Sequence, residues 1–191
     1  MQSYYDGPPR RKSGVHWVWI LLGIFAICGC GGVGLLGAIL FPAFARARTS
    51  VQERMCISNV RILCAASAMY SEDSDGHLPE ASSWMDATEK YVDSPRNFSC
   101  PVVNHPNAFG PRIAGKYGYA VNEALSGKVR KGIADKTREI LIFETADTSR
   151  NAKGDPAKTP PPNRHGAGRT EGYADGHAAF VKASSSPSGS Q

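Results

Sequence analysis

One stretch limits what this chain can become. From Val15 to Phe44 it reads VHWVWILLGIFAICGCGGVGLLGAILFPAF, and no charged residue stands between Lys12 and Arg46. A membrane-spanning helix needs about 20 apolar residues, so residues 15–44 are expected to form one. Helical spacing continues without a break. Met55, Cys56, Val60, Ile62, Leu63, Ala66, Met69 and Tyr70 recur at three- and four-residue steps, which predicts an amphipathic stem over 45–72. Read as a single helix rising about 1.5 Å per residue, the two halves would extend on the order of 80 to 90 Å. A rod of that length suits a protein that is anchored at one end and stacks beside copies of itself.

The remaining chain reads as one small domain, an α+β head over 73–182, between polar tails at 1–14 and 183–191 that lack the apolar content to fold. Asp75-Gly76 and Pro79 close the stem with turn signals. SSWMDATEKYV, from Ser82 to Val92, predicts a short helix capped by Ser82 or Ser83. Residues 93–115 hold Pro95, Pro101, Pro106 and Pro111 and read as loop. YGYAVNEAL predicts a strand, and EILIFETA, over 139–146, predicts a central one because it is short and almost wholly apolar. Residues 147–163 are proline-rich and read as an exposed loop. EGYADGHAAFVK predicts two short strands around Asp175-Gly176, a pairing typical of two-residue hairpins.

Several features bear on the expected membrane segment. Arg10, Arg11 and Lys12 flank it on one side, Arg46, Arg48 and Arg54 on the other, and Trp17 and Trp19 stand at interfacial depth. The basic flanks balance. A cytoplasmic N-terminus and an exported head are expected because a short tail has little need of translocation. Ala26, Cys30, Gly34 and Ala38 repeat every four residues and form a small-residue face for close helix packing. Pro42 removes a backbone donor and predicts a kink near the membrane exit. Ile27-Cys28-Gly29-Cys30 loosely matches a lipidation box at Cys30, but the apolar run continues well beyond it.

Chemistry is sparse. The excess of cations, 22 Lys+Arg against 17 Asp+Glu, is mild and scattered, which argues against nucleic-acid binding. Cys56 and Cys64 lie two helical turns apart, about 12 Å along the axis, and cannot bridge each other. A disulfide would join one of them to Cys100, with Cys56–Cys100 as the candidate pair. Three free buried thiols are the alternative. His165, Asp175 and His177 are the one close His/Asp set, with imidazole and carboxylate groups that suit zinc. The favoured reading is structural: Asp175 fills a turn while the histidines bond loop backbone, and no metal is expected. No nucleophile elbow, phosphate loop or paired acids stand in a recognisable frame. No cofactor and no catalysis are expected.

The residues also resemble a family. LGAILFPAFARAR is similar to the end of the N-terminal helix of type IV pilin-like proteins and type II secretion pseudopilins. CISNVRILCAASAMYSEDSDGHLP, then Phe98-Ser99-Cys100-Pro101, YGYAVN and EILIFETAD follow in that family's order. RHGAGRTEGYADGH, with His165, nine intervening residues and then Asp175-Gly176, resembles the bacterial group marked by a His-x9-Asp-Gly motif. The likeness runs from about Leu36 to Val181. It implies a long N-terminal helix laid on a small antiparallel sheet. It also implies a non-catalytic structural subunit of a pseudopilus or pilus-type system, partnered by the inner membrane and related subunits. The family's leader is followed by phenylalanine, with glutamate at the fifth mature position. Here Val15 follows Gly14 and Trp19 takes the acid's place; counting back from Pro42 gives Leu21 and Phe25 instead. The chain is thus expected to be an uncleaved, single-pass relative that keeps the head. The alternative expectation is a membrane-tethered module holding metal or ligand near His165, Asp175 and His177; a tethered hydrolase comes third.

Overall fold

The computed structural model describes residues 15–105, 111, 113–160, 162, 164–165 and 168–182. The chain divides into two compact units, Met1–Ala47 and Arg48–Gln191. Helix α1 is Val15–Asp73, and α2 (Trp84–Thr88) and α3 (Pro101–Asn104) are short. Five strands follow: β1 (Tyr119–Asn122), β2 (Ile140–Glu144), β3 (Lys153–Gly154), β4 (Gly168–Tyr173) and β5 (Ala178–Lys182).

The membrane expectation is corrected in the first unit. Among the described residues no helix is long and apolar enough to cross a membrane. The described apolar side chains at the start of α1, from Trp17 to Phe25, are exposed. Charged residues recur from Arg46 onward. The single-pass anchor in an inner membrane, and the orientation derived from it, lose their basis. The side chains of Ala26, Cys30 and Gly34, in the expected packing face, and of Pro42, at the expected kink, lie outside the described residues. Ala38 is exposed. The tails at 1–14 and 183–191 also lie outside them.

The pilin-like architecture needs a second correction, in the sheet. Its strand order is β3-β1-β2-β4-β5. β1–β2, β2–β4 and β4–β5 are antiparallel, but β3 runs parallel to β1, with Val121 opposite Lys153 and Asn122 opposite Gly154. The sheet is therefore mixed. β3 lies within the stretch expected to be loop, because two residues without an apolar run leave no period to read.

In the second unit, α1 buries one stripe of side chains, Cys56, Val60, Leu63, Cys64, Ser67 and Ser71. These positions recur at helical spacing and so share one face. Met55 and Met69, also in the expected stripe, are half exposed. The stripe packs with Tyr119, Val121 and Ile142 in the main core, together with Trp84, Met85 and Phe98. Approach is close at Gly172. A Cβ there would lie 2.5 Å from both the Cys64 Sγ and the Val60 Cγ1, so only glycine lets β4 sit this near the helix. A smaller cluster of Ala120, Phe143 and Ala152 fills a second core.

Turn chemistry follows the sequence at one end of α1 and departs from it at the last hairpin. The stem stops where Asp75 and Gly76 take φ of 50° and 84°, and the Gly76 N–H returns to the Ser71 carbonyl at 2.8 Å. Ser83 stands at the N-cap of α2 but its side chain makes no cap hydrogen bond. The hairpin around Asp175-Gly176 is wider than two residues, since β4 ends at Tyr173 and β5 begins at Ala178. Only Gly176, at φ 106°, takes a left-handed conformation there. The loop is closed by the Tyr173 N–H on the His177 carbonyl and the Gly176 N–H on the Tyr173 carbonyl, both at 2.9 Å, while the Asp175 and Ala174 N–H groups bond outward to the Lys136 and Glu139 carbonyls at 3.1 and 2.9 Å.

Candidate metal centre

Glu144 closes β2, a strand that is otherwise apolar. Successive strand residues point to opposite faces, so Glu144 shares a face with Ile142 and is turned into the core beneath α1. In register it stands opposite Tyr119. Its side chain is fully buried, and an ionised carboxylate in such a place must be paired or coordinated. The partners come from three other parts of the chain. α1 supplies Cys56. Cys100 stands at the N-cap of α3, its N–H bonded to the Tyr117 carbonyl at 2.8 Å. His165 lies in the connection just before β4.

These four side chains converge. The Sγ atoms of Cys56 and Cys100 are 3.3 Å apart. Cys100 Sγ is 3.6 Å from Glu144 Oε1 and 3.9 Å from His165 Nε2. His165 Nε2 is 3.0 Å from Glu144 Oε1. All four ligand atoms lie within 4.8 Å of one another, and all four residues are buried. Zinc bonds of about 2.0–2.3 Å at tetrahedral angles separate neighbouring ligand atoms by roughly 3.3–3.8 Å. The measured spacings bracket that range. The other carboxylate oxygen of Glu144, Oε2, accepts the Thr170 N–H at 2.8 Å. That bond orients the carboxylate as supporting contacts do in metal sites. His165 Nδ1 has no hydrogen-bond partner among the described residues.

The electrostatics of the metal-free cluster are those of one acidified thiol and one buried ion pair. The hydrogen bond between the two thiols holds Cys100 down, at about 5, aided by His165, and pushes Cys56 far up. Burial works against the charged forms of Glu144 and His165. Their mutual contact and the neighbouring bonds outweigh it, lowering the Glu144 carboxyl and raising His165 to about 9. Raised in this way, His165 and Cys56 hold their protons in the metal-free site, and a metal would have to displace both.

The arrangement is poorly suited to nucleophilic catalysis. A Cys-His-acid relay needs one imidazole nitrogen toward the thiol and the other toward the acid. Here Nε2 faces both. The thiols are also closed off from any substrate, at 0% exposure for Cys56 and Cys100. Four donors aimed at one enclosed point are instead what a four-coordinate metal requires. Two thiolates select a soft or borderline ion such as zinc.

The structure does not bring together His165, Asp175 and His177, the set weighed as possible metal ligands. His165 joins the buried cluster, whereas Asp175 and His177 pair with each other at the hairpin. The Asp175 Oδ1 accepts the His177 N–H at 3.0 Å and lies 2.6 Å from its Nδ1. The His177 ring stacks on Tyr173 at 4.2 Å. Asp175 occupies the turn, but the His177 ring bonds its carboxylate and not the loop backbone. Of the cysteines, Cys56, Cys64 and Cys100 are all free thiols, and Cys56 rather than Cys64 lies beside Cys100. Glu144 is the member that the sequence reading passed over. Its signal was present: an acid two residues after an inward-facing isoleucine in an apolar strand.

No protein-family model matches the chain, and no curated protein or solved structure matches it either.

Proposed function

We propose that residues 48–182 form a non-catalytic structural module whose fold is pinned by a zinc-like metal ion held by Cys56, Cys100, Glu144 and His165. One observation carries this reading: four ligand-type atoms, from four separate segments, lie within 4.8 Å of one another inside the core. Protein groups supply all four positions, and closed sites of that kind serve stability rather than reaction. The ion would tie α1 to β2 and to the two connections bearing Cys100 and His165. Much of its binding free energy would then appear as folding free energy.

The test is metal content. The reduced full chain, dialysed against zinc and desalted, should carry one zinc per chain, and chelation should lower its midpoint of thermal unfolding. His165→Ala should carry less. A wild-type chain that retains no zinc, nickel or cobalt would remove the proposal.

The role as a subunit beside related pilin-like chains is kept as a proposal without any membrane anchor. The order of the motifs from Leu36 to Val181 supports it. Lysine-directed crosslinking across a concentration series tests it. Monomer at every concentration would leave the metal module alone.

A further inference from the structure

Two of the four ligand atoms can also bond to each other. The Cys56 and Cys100 Sγ atoms stand 3.3 Å apart, and bringing them to the roughly 2.05 Å of a disulfide needs a closure of little more than 1 Å. No other pairing among Cys56, Cys64 and Cys100 is available. Cys64 lies two helical turns from Cys56 and packs on the β4 backbone at Gly172. We infer that Cys56 and Cys100 are a redox-convertible pair, a metal-binding dithiolate when reduced and an intrachain disulfide when oxidised, each state excluding the other. The inference rests on the metal reading of the same site.

The chemistry balances with a low-molecular-weight disulfide as oxidant. One cysteine thiolate attacks a sulfur of oxidised glutathione, forming a mixed disulfide and expelling one glutathione thiolate. The second cysteine attacks the protein sulfur of that mixed disulfide, forming the Cys56–Cys100 bond and expelling the second glutathione thiolate. The two protein sulfurs lose two electrons, the oxidant gains them, and the two thiol protons pass to the departing thiolates or to buffer. Only Glu144 and His165, already in contact at 3.0 Å, would then remain to hold a metal, and two ligands would not retain it. Both thiols are buried, so exchange proceeds through opening of the fold. A metal bound only to the closed state reduces that opening. At free zinc ten times its dissociation constant, oxidation should be about tenfold slower than in the metal-free protein.

The experiment uses the full chain with Cys28→Ser and Cys30→Ser, so that three cysteines remain, and oxidised glutathione as the oxidant. Zinc content before oxidant is added tests the metal reading by itself. After oxidation, a chromogenic chelator should report one zinc released per disulfide formed. Peptide mapping should find Cys56 joined to Cys100, with Cys64 open to alkylation after denaturation. Zinc should slow the reaction by the factor above, and Cys64→Ser should leave the zinc stoichiometry and the Cys56–Cys100 crosslink unchanged. Zinc retained by the oxidised chain, a link through Cys64, or stable glutathione adducts in place of the crosslink would overturn the inference. A crosslink that forms in a chain binding no zinc would overturn both, and would leave the pair a plain disulfide.

Discussion

Glu144 and His165 meet at 3.0 Å, Oε1 to Nε2, with both side chains removed from solvent. The two residues come from the end of a central strand and from a connection 21 residues further on. Nothing about either neighbourhood requires the other. The contact matters because a buried acid and a buried imidazole each cost free energy unless something compensates them. Here each compensates the other, and the two thiols beside them turn an ion pair into a ligand set.

Glu144→Gln keeps the side-chain shape and removes the charge. It should weaken zinc binding by at least about tenfold, since even supporting residues of metal sites are worth 10- to 100-fold. In the metal-free protein it should cost about 3–5 kcal/mol, the usual effect of breaking a buried pair from one side. Urea unfolding with and without chelator measures both. An unchanged zinc affinity would show that the carboxylate is no ligand.

Gly172→Ala adds a Cβ that would lie 2.5 Å from Cys64 Sγ and Val60 Cγ1. Overpacking of this kind costs roughly 1–3 kcal/mol. Cys64→Ala removes one of the two obstructing atoms, so the double variant should lose less than the sum of the two single losses. Strict additivity in a denaturant cycle would mean that the helix and β4 are not held this close.

The Asp86 carboxyl is held below its ordinary value of 3.8, first by the Asn151 side-chain amide and then by Arg150. A depressed carboxyl contributes stability that is present above the unfolded value of about 3.9 and is lost as pH falls through the folded one. Asn151 has a φ of 55°, so glycine is the replacement that keeps its backbone. Asn151→Gly should raise the Asp86 pKa toward 3.8, read by a carboxyl carbon NMR titration. No movement would assign the depression to Arg150 alone.

Several parts of the fold were legible in local pattern. The Cys56–Ser71 stripe announces a buried helical face, and the apolar run at Ile140–Glu144 announces a central strand. Asp75-Gly76 marks the end of the stem. Each is a short-range signal, set by 3.6- or 2-residue periods or by the φ that a turn demands. The same reasoning misled where a long apolar run stood in for a membrane span. It also misled where Asp175-Gly176 stood in for a two-residue turn, since the hydrogen bonds that close the hairpin run between Tyr173 and His177 and between Gly176 and Tyr173.

What the amino-acid order determined by itself was the set of local elements and the chemical types available: thiols, one inward acid, a histidine ahead of a hairpin. Only the tertiary structure decided which of them meet. Cys56 and Cys100 are 44 residues apart, and Cys100 and His165 are 65 apart. Such distances in sequence carry no period. Their convergence depends on the register of β1 against β2 and on the close seat of α1 over Gly172, both set by packing of the whole core.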